Sequence, residues 1–386
     1  MTDKKTYSVV FAGGGTGGHI YPGIAVADAL QSLSAGAGYT VKIYWIGNKS
    51  GMDKDIIGKN LVSEGGSVTG FFGIPCGKLR RYLSFRNLVD MFKIVGGFFA
   101  SLFILLKLKP DCLFSKGGFV SVPPCWAAKV LSIPYYTHEC DVTPGLATRL
   151  NAGGAKNILV SYSATAGHFS SKKMQDKCVM TGNPVRPVFY TDDSASGRKF
   201  LGIGDDCKKP VLLVLGGSLG ALQINNLVTE NLDWLTDRFI VVHQTGKAFA
   251  ESHGELMNSS SDSYKPYAFI YKEMPAVIQA ADIVLSRAGA NSLWECITCA
   301  KPMVLVPLCG SGTRGDQVDN AAFFEKKGAA AVLLGDNATG GHMKEMLERL
   351  LNIEERQKMS AACRQFSAGE PPATTIAKII MDGMKR

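Results

Sequence analysis

Twice in this chain a short apolar strand runs into a glycine-rich loop and then into a helix, first across residues 7–30 and again from residue 211 onward. Strand, loop and helix make half of a βαβ unit, and strands apolar along their whole length belong in parallel sheets covered on both faces. Further apolar strands are expected at residues 41–46, 112–115 and 134–138, and then at 239–243, 283–285 and 303–306. The alternation predicts an α/β chain of two Rossmann-like halves with parallel sheets facing a cleft, with the chemistry in loops beyond the carboxyl ends of the strands. A chain of 386 residues agrees, being longer than one hydrophobic core usually supports. The pattern breaks at Pro184-Val185-Arg186-Pro187, and the polar stretch 191–209 reads as the linker.

A 46% hydrophobic, 19% charged composition excludes a disordered chain. Lys and Arg exceed Asp and Glu by nine, which suits phosphate, anionic lipid or nucleic acid equally. No basic run interleaved with aromatics occurs, so no nucleic-acid partner is expected. The first strand is too short for a signal-peptide core, which places the protein inside the cell with its ten cysteines reduced. Cys296 and Cys299 form a lone CxxC with no second pair, and read as thiols on a buried helix rather than as metal ligands.

Residues 77–109 combine Lys78, Arg80, Arg81 and Arg86 with an apolar run at 94–106. Thirteen residues fall short of the roughly 20 that cross a bilayer. Two readings stay open: a buried helix beneath the sheet, or an amphipathic helix whose basic flank rests on anionic lipid.

The loop Gly13-Gly14-Gly15-Thr16-Gly17-Gly18 gathers backbone N–H groups at the start of an amphipathic helix, a cradle for phosphate. Taken literally it holds GxGxxG at 13, 15 and 18, but the second strand ends in Gly47-Asn48-Lys49 where a dinucleotide site wants an acid, which weakens an NAD-dependent oxidoreductase. His19 opens the helix; it can take a proton from an attacking hydroxyl, or merely cap and pack. A second cradle, Gly216-Gly217-Ser218-Leu219-Gly220, offers the Ser218 hydroxyl as well. Downstream, the segment from Ser286 to Glu295 enters a helix on which the Glu295 carboxylate can accept two ribose hydroxyls, and Gln317 opens another helix in reach of sugar hydroxyls. Two phosphate cradles, one per half, favour a transferase over a binding module.

Eight ordered motifs carry a more specific signal: TGGHIYPGIAVADAL from Thr16, KGGFVSVP from Lys116, HECDVTPGLATRLNA from His138, GNPVR ending at Arg186, GGSLGALQIN from Gly216, HQTGK from His243, SRAGANSLWE from Ser286 and RGDQVDNA from Arg314. Nearly end to end, this resembles the MurG family of N-acetylglucosaminyltransferases. The resemblance implies a GT-B fold, with residues 1–187 as the acceptor- and membrane-side domain, completed by a C-terminal helix at 372–386, and residues 188–371 as the UDP-sugar domain. It implies inverting transfer of N-acetylglucosamine from UDP-N-acetylglucosamine to an undecaprenyl-diphosphate muramoyl-peptide, without metal or other cofactor. The setting it implies is the cytoplasmic face of an anionic membrane, in a cell-division or cell-wall synthesis complex. By position, Ser218 would meet the donor diphosphate, Arg186 and Gln317 the donor, Glu295 the ribose and the Tyr271 backbone the uracil. Ala290, Asn291 and Ser292 would also bind substrate; Thr16, Gly17 and Gly18 would line the cleft with His19 near the acceptor. Many members carry His-Glu-Gln-Asn where this chain has His138-Glu139-Cys140-Asp141. Asp141 would then accept a sugar hydroxyl or, with His19, serve as base. Competing readings are a glycosyltransferase for another lipid or small acceptor, a nucleotide-sugar epimerase of the same fold, the oxidoreductase, and a non-catalytic membrane-binding module.

Overall fold

The computed structural model describes residues 5–77, 85–204, 206–217, 220–310 and 313–384. The chain divides into two compact units, Met1–Arg186 with Glu370–Arg386, and Pro187–Gly369. The first holds seven parallel strands: β1 (Thr6–Ala12), β2 (Thr40–Asn48), β3 (Gly70–Ile74), β4 (Cys112–Ser115), β5 (Tyr135–Glu139), β6 (Asn157–Val160) and β7 (Cys178–Met180). Their order is β3-β2-β1-β4-β5-β6-β7. Ala12 pairs with both Ile46 and Ser115, so β1, β2 and β4 end level and their exit loops emerge side by side. The order reverses between β1 and β4, the switch point at which doubly wound sheets bind ligands.

Helix α1 (Gly17–Gly36) follows β1, and Pro22, Gly23, Ile24, Ala25, Val26 and Ala27 are all buried in succession. An amphipathic helix would alternate. This one is enclosed because the C-terminal helix Pro372–Met384 packs against it on the same face of the sheet, burying Ile376, Ala377 and Ile380. A Cβ on Gly383 would stand 2.1 Å from the Tyr136 hydroxyl, so that contact requires glycine. Helix α2 (Met52–Gly58) follows β2.

The opposite face of the sheet carries α3 (Phe85–Leu108) and α4 (Val122–Val130). On its inner side Leu105 and Ser101 are fully buried, and Gly97 lies against the Pro75 carbonyl and the Pro123 ring. On its outer side Phe92, Val95, Phe99, Phe103 and Leu106 form an exposed stripe at helical spacing, Phe92 at 70% and Phe103 at 69%. The helix therefore packs beneath the sheet, as the first reading has it, and still presents an exposed apolar face. The apolar helix is also longer than the run 94–106: Leu88–Leu108 is, by length and composition, sufficient to cross a membrane. Arg86 falls in its first turn, while Lys78, Arg80 and Arg81 lie outside the described residues.

The second unit orders its six parallel strands β10-β9-β8-β11-β12-β13, comprising β8 (Val211–Leu215), β9 (Ile240–Gln244), β10 (Tyr264–Tyr267), β11 (Ile283–Ser286), β12 (Met303–Leu305) and β13 (Ala330–Val332). Its switch point lies between β8 and β11, so each glycine loop leaves a strand at a switch point. The stretch 191–209 is not a plain linker. It contains the helix Ser194–Phe200, whose Gly197 packs so closely on Met274–Ala280 that a Cβ would meet the Ala276 carbonyl at 2.1 Å. Small residues in Ser-Ala-Ser-Gly allow that approach while giving the sequence a linker-like look.

Since Ile380 is fully buried among α1 and the sheet, Ile380→Ala is expected to lower the stability of the first unit by about 2–5 kcal/mol, read as a shift in the urea midpoint.

Candidate active site

The loop leaving β1 is held from below. The Asp53 carboxylate of α2, 1% exposed, accepts the Gly15 N–H and the Asn48 N–H, each at 2.8 Å, and the Trp45 indole donates to the Gly13 carbonyl at 2.9 Å. Gly14 passes so close that a Cβ would lie 1.8 Å from Asp53 Oδ2, and Gly15, at φ +80°, would press a Cβ into the Phe119 ring at 2.5 Å. Neither position tolerates a side chain. Burial pushes the Asp53 carboxyl above the usual carboxylate range, an effect opposed by the backbone N–H groups it accepts. The strand-end acid missing at 47–49 thus sits a few residues on, and serves the loop rather than a ribose. Gly15 is thus committed to Asp53, whereas the N–H groups of Gly14 and Thr16 meet no acceptor among the described residues.

His19 stands half-buried at the start of α1 with Nδ1 2.8 Å from the Thr16 hydroxyl. Beside it, Gly117 and Gly118 leave β4 at φ +85° and +75°. A Cβ on Gly118 would be 3.2 Å from the His19 ring and one on Gly117 would be 3.3 Å from the His138 carbonyl. This glycine pair is therefore the floor between β1 and β5. At the end of β5, Glu139 accepts the N–H groups of Cys140, Asp141 and Gly145 at 2.9, 3.1 and 2.9 Å and so shapes the turn that presents Asp141, itself only 8% exposed. Glu139, Cys140 and Asp141 bring ligand atoms within 4.8 Å of one another, the grouping among the described residues that comes nearest to a metal set. Both Glu139 oxygens are already occupied by backbone donors. His138 is buried with Nε2 3.0 Å from the Gly182 carbonyl, and burial pushes its pKa well below the ordinary imidazole value. Arg186 ends this unit, half-buried, its guanidinium 5.3 Å from the Tyr21 ring centre.

In the second unit Ser218 and Leu219 lie outside the described residues, while Gly217 and Gly220 flank them at φ +80°. A Cβ on Gly220 would meet the Thr245 carbonyl at 2.3 Å, which ties this loop to the HQTGK turn. Asn225 donates to the same carbonyl at 2.9 Å, and the His243 ring bridges Asn225 Oδ1 and the Tyr264 hydroxyl, each at 3.1 Å. His243 is thus architecture that secures the loop. Arg287 donates to Gln223 at 2.8 Å and to the Val306 carbonyl at 2.9 Å, joining the ends of β11 and β12 to the helix after the loop. Asn291, Ser292 and Glu295 share one half-exposed face of the helix Ala290–Thr298, whereas Ala290 and Cys296 are buried. Burial lifts the Cys296 thiol well above its usual range and the Cys299 thiol to about 12, so neither offers a thiolate. Gln317, in the helix Asp316–Lys326, accepts the Leu308 N–H at 2.9 Å and keeps its amide NH2 for other partners. Tyr271 is 63% exposed, and its carbonyl accepts the Met274 N–H at 3.3 Å.

Sequence reasoning passed over Asp53, Trp45, Asn225 and Arg287, which build the loops rather than meet ligand. For Asp53 the signal was present: an acid at the start of the helix after β2. Asp53→Asn keeps the shape but turns an amide NH2 toward a backbone N–H, and is expected to cost about 1–3 kcal/mol, read by urea denaturation. His243 supplies a pH test. Its folded pKa is pushed by burial from 6.5 to about 4, so the unfolded chain binds the proton first and stability is lost as pH falls from 6.5 toward 4. Relative to His243→Gln, the wild type should lose about 3 kcal/mol across that window, measured by urea midpoints at stepped pH.

Residues 9–160 match the N-terminal domain of glycosyltransferase family 28 and residues 211–373 match its C-terminal domain. A protein of Treponema denticola named UDP-N-acetylglucosamine--N-acetylmuramyl-(pentapeptide) pyrophosphoryl-undecaprenol N-acetylglucosamine transferase is 49% identical over 385 residues, 96% of each chain. Among solved structures, the MurG of Acinetobacter baumannii superposes with a TM-score of 0.70 at 23% identity, covering 97% of this chain and 99% of that one. A UDP-GlcNAc 2-epimerase from Neisseria meningitidis reaches 0.64 at 15% identity, covering 98% and 99%. The two structures establish the GT-B fold and no more, since a transferase and an epimerase share it. Sequence identity along the whole length decides the family: the chain belongs to glycosyltransferase family 28, in its MurG branch.

Proposed function

We propose that this protein transfers N-acetylglucosamine from UDP-N-acetylglucosamine to an undecaprenyl-diphosphate-linked N-acetylmuramoyl-peptide, with inversion, in peptidoglycan synthesis. The observation that carries the reading is 49% identity, over 96% of the chain, to a relative bearing that name. The glycine loop after β8 binds the donor diphosphate with Ser218. Glu295, on the half-exposed face with Asn291 and Ser292, takes the ribose, Gln317 and Arg186 meet the donor, and the Tyr271 backbone meets the uracil. Thr16, Gly17 and Gly18 line the acceptor side. The acceptor hydroxyl oxygen attacks the anomeric carbon as its bond to the diphosphate breaks, the electron pair leaves with UDP, and the hydroxyl proton passes to a base. Backbone N–H groups at the loop stabilise the departing charge.

His19 is the better candidate for that base. Many relatives carry an amide at the position of Asp141, and an amide oxygen cannot hold the proton, so shared chemistry falls to the imidazole, whose Nδ1 is anchored by Thr16. Asp141 then accepts a sugar hydroxyl. His19→Ala should lower kcat by about 100-fold or more with the KM for UDP-N-acetylglucosamine unchanged, while Asp141→Asn stays within about tenfold of wild type; UDP release with lipid acceptor reads both. The reverse ranking moves the base to Asp141. Donor turnover without any lipid would replace the transferase reading by an epimerase.

The protein then works peripherally at the cytoplasmic membrane face, a reading that the exposed α3 stripe supports. Contiguous exposed aromatics mark an interaction surface, and Lys93, Lys107 and Lys109 accompany them toward anionic headgroups. Replacing Phe92, Phe99 and Phe103 together by Ser should lower partitioning onto phosphatidylglycerol vesicles at least tenfold without changing the urea midpoint of the first unit.

A further inference from the structure

Helix α1 is buried from Pro22 through Ala27, with Ile20 fully buried before them, yet Tyr21 stands 43% exposed. Its ring turns back over the first turn of the helix, where a Cβ on Gly17 would lie 3.2 Å from Tyr21 Cε2, so glycine there makes room for it. The Tyr21 hydroxyl makes no hydrogen bond among the described residues. What the ring face meets is the guanidinium of Arg186, whose Cζ lies over it, 5.3 Å from the ring centre. That falls inside the roughly 6 Å within which a ring face attracts a cation. Arg186 itself ends a segment whose backbone is fixed. Thr181, Gly182, Asn183, Pro184 and Val185 are all buried, the Thr181 N–H donates to the Val160 carbonyl at 2.9 Å, and the Gly182 carbonyl lies 3.0 Å from His138 Nε2. Beyond that anchor the long arginine side chain has rotamer freedom to lose when a ligand orders it. Tyr21 and Arg186 belong to two different sequence motifs, TGGHIYPG and GNPVR, and theirs is the one cation–π pair among the described residues that joins two of the eight.

We propose that Tyr21 is a positioning residue for sugar transfer: its ring face holds the Arg186 guanidinium in advance and leaves the N–H edge open for the diphosphate of the UDP-sugar donor. The proposal rests on the reading that Arg186 meets the donor. A guanidinium carries its donors in its own plane, so an aromatic ring against its face takes none of them, and bidentate pairing with phosphate oxygens stays available. A carboxylate in the place of the ring would occupy those same donors and neutralise the charge that the anion is to meet. The ring holds the cation without doing either. Its hydroxyl has no part in this, and a phenylalanine would serve equally. Ordering the side chain before the donor arrives removes part of the cost of binding, so the tyrosine acts on donor affinity rather than on the chemical step.

The test compares wild type, Tyr21→Phe, Tyr21→Leu, Arg186→Met and the double variant Tyr21→Leu with Arg186→Met, using UDP release with lipid acceptor and the affinity for UDP by calorimetry. UDP affinity reads the pair independently of sugar transfer. Tyr21→Leu should raise the KM for UDP-N-acetylglucosamine and the Kd for UDP about fivefold, with kcat and the acceptor KM unchanged. Tyr21→Phe should match wild type. Arg186→Met should raise the donor KM by about tenfold or more, and adding Tyr21→Leu to it should change nothing further, because the ring then has no cation to hold. Unchanged donor KM and UDP affinity in Tyr21→Leu, beside raised values in Arg186→Met, overturn the proposal and leave Arg186 at the donor. So does a full Tyr21→Leu effect in the Arg186→Met background, or a Tyr21→Phe variant as impaired as Tyr21→Leu. A Tyr21→Leu protein with a lowered urea midpoint and a raised acceptor KM would make the tyrosine structural, which also overturns it. Unchanged donor KM and UDP affinity in Arg186→Met would instead overturn the reading that Arg186 meets the donor, and the proposal with it.

Discussion

The chain leaves β1 on terms set by one carboxylate. Between Gly13 and Gly15 the backbone turns beside Asp53 closely enough to forbid any Cβ at Gly14, and the carboxylate takes up one loop N–H and the Asn48 N–H at the end of β2. This ties two adjacent strand ends to α2 and fixes where α1 begins. It also has an electrostatic cost. The carboxylate is desolvated beneath the loop, and burial favours its protonated form only in part, because the backbone N–H groups it accepts oppose that shift. Positive potential beside it comes from the N-terminus of α1.

The second loop is built differently though it occupies the same topological position. Among the described residues no carboxylate props it up. Asn225, His243 and Tyr264 form a buried neutral chain that ends at the Thr245 carbonyl beneath Gly220. The lowered His243 pKa keeps that support uncharged at neutral pH. Equivalent position in two similar folds thus does not mean equivalent electrostatics.

What the sequence made legible follows burial. Strands β1, β2, β4, β5, β8, β9, β11 and β12 are apolar runs covered on both faces, and each was expected within a residue or two. The strands not picked out are β3, β7, β10 and β13, which are the sheet edges, and the four-residue β6. An edge strand is half-exposed and can hold Pro266 or Gly73, so it loses the periodic signal. Helix α1 misled for the opposite reason: it is buried on two sides by the sheet and by residues 372–384, which come from the other end of the chain, and no local pattern announces that. At the site, glycine loops and histidines could be found by type and spacing. Trp45 and Asn225 could not, since their roles depend on which backbone groups the fold brings within 3 Å, and Asp53 showed only as an acid opening the helix after β2.

Helix α3 joins these two themes, because its inner face is fixed by packing and its outer face by composition. Gly97 meets the Pro75 carbonyl and the Pro123 ring, and Leu105 is fully buried, so the helix is seated on the first unit. Detaching it to span a bilayer would strip the sheet face of Leu105 and expose the residues around it. The outer stripe from Phe92 to Leu106 covers fourteen residues of rise, about 21 Å, lying along the surface of its unit. A helix held in that way can offer lipid its side and not its end. The apolar length that would satisfy a spanning segment therefore lies along the surface of its unit, its aromatic stripe exposed and Lys93 and Lys107 beside it.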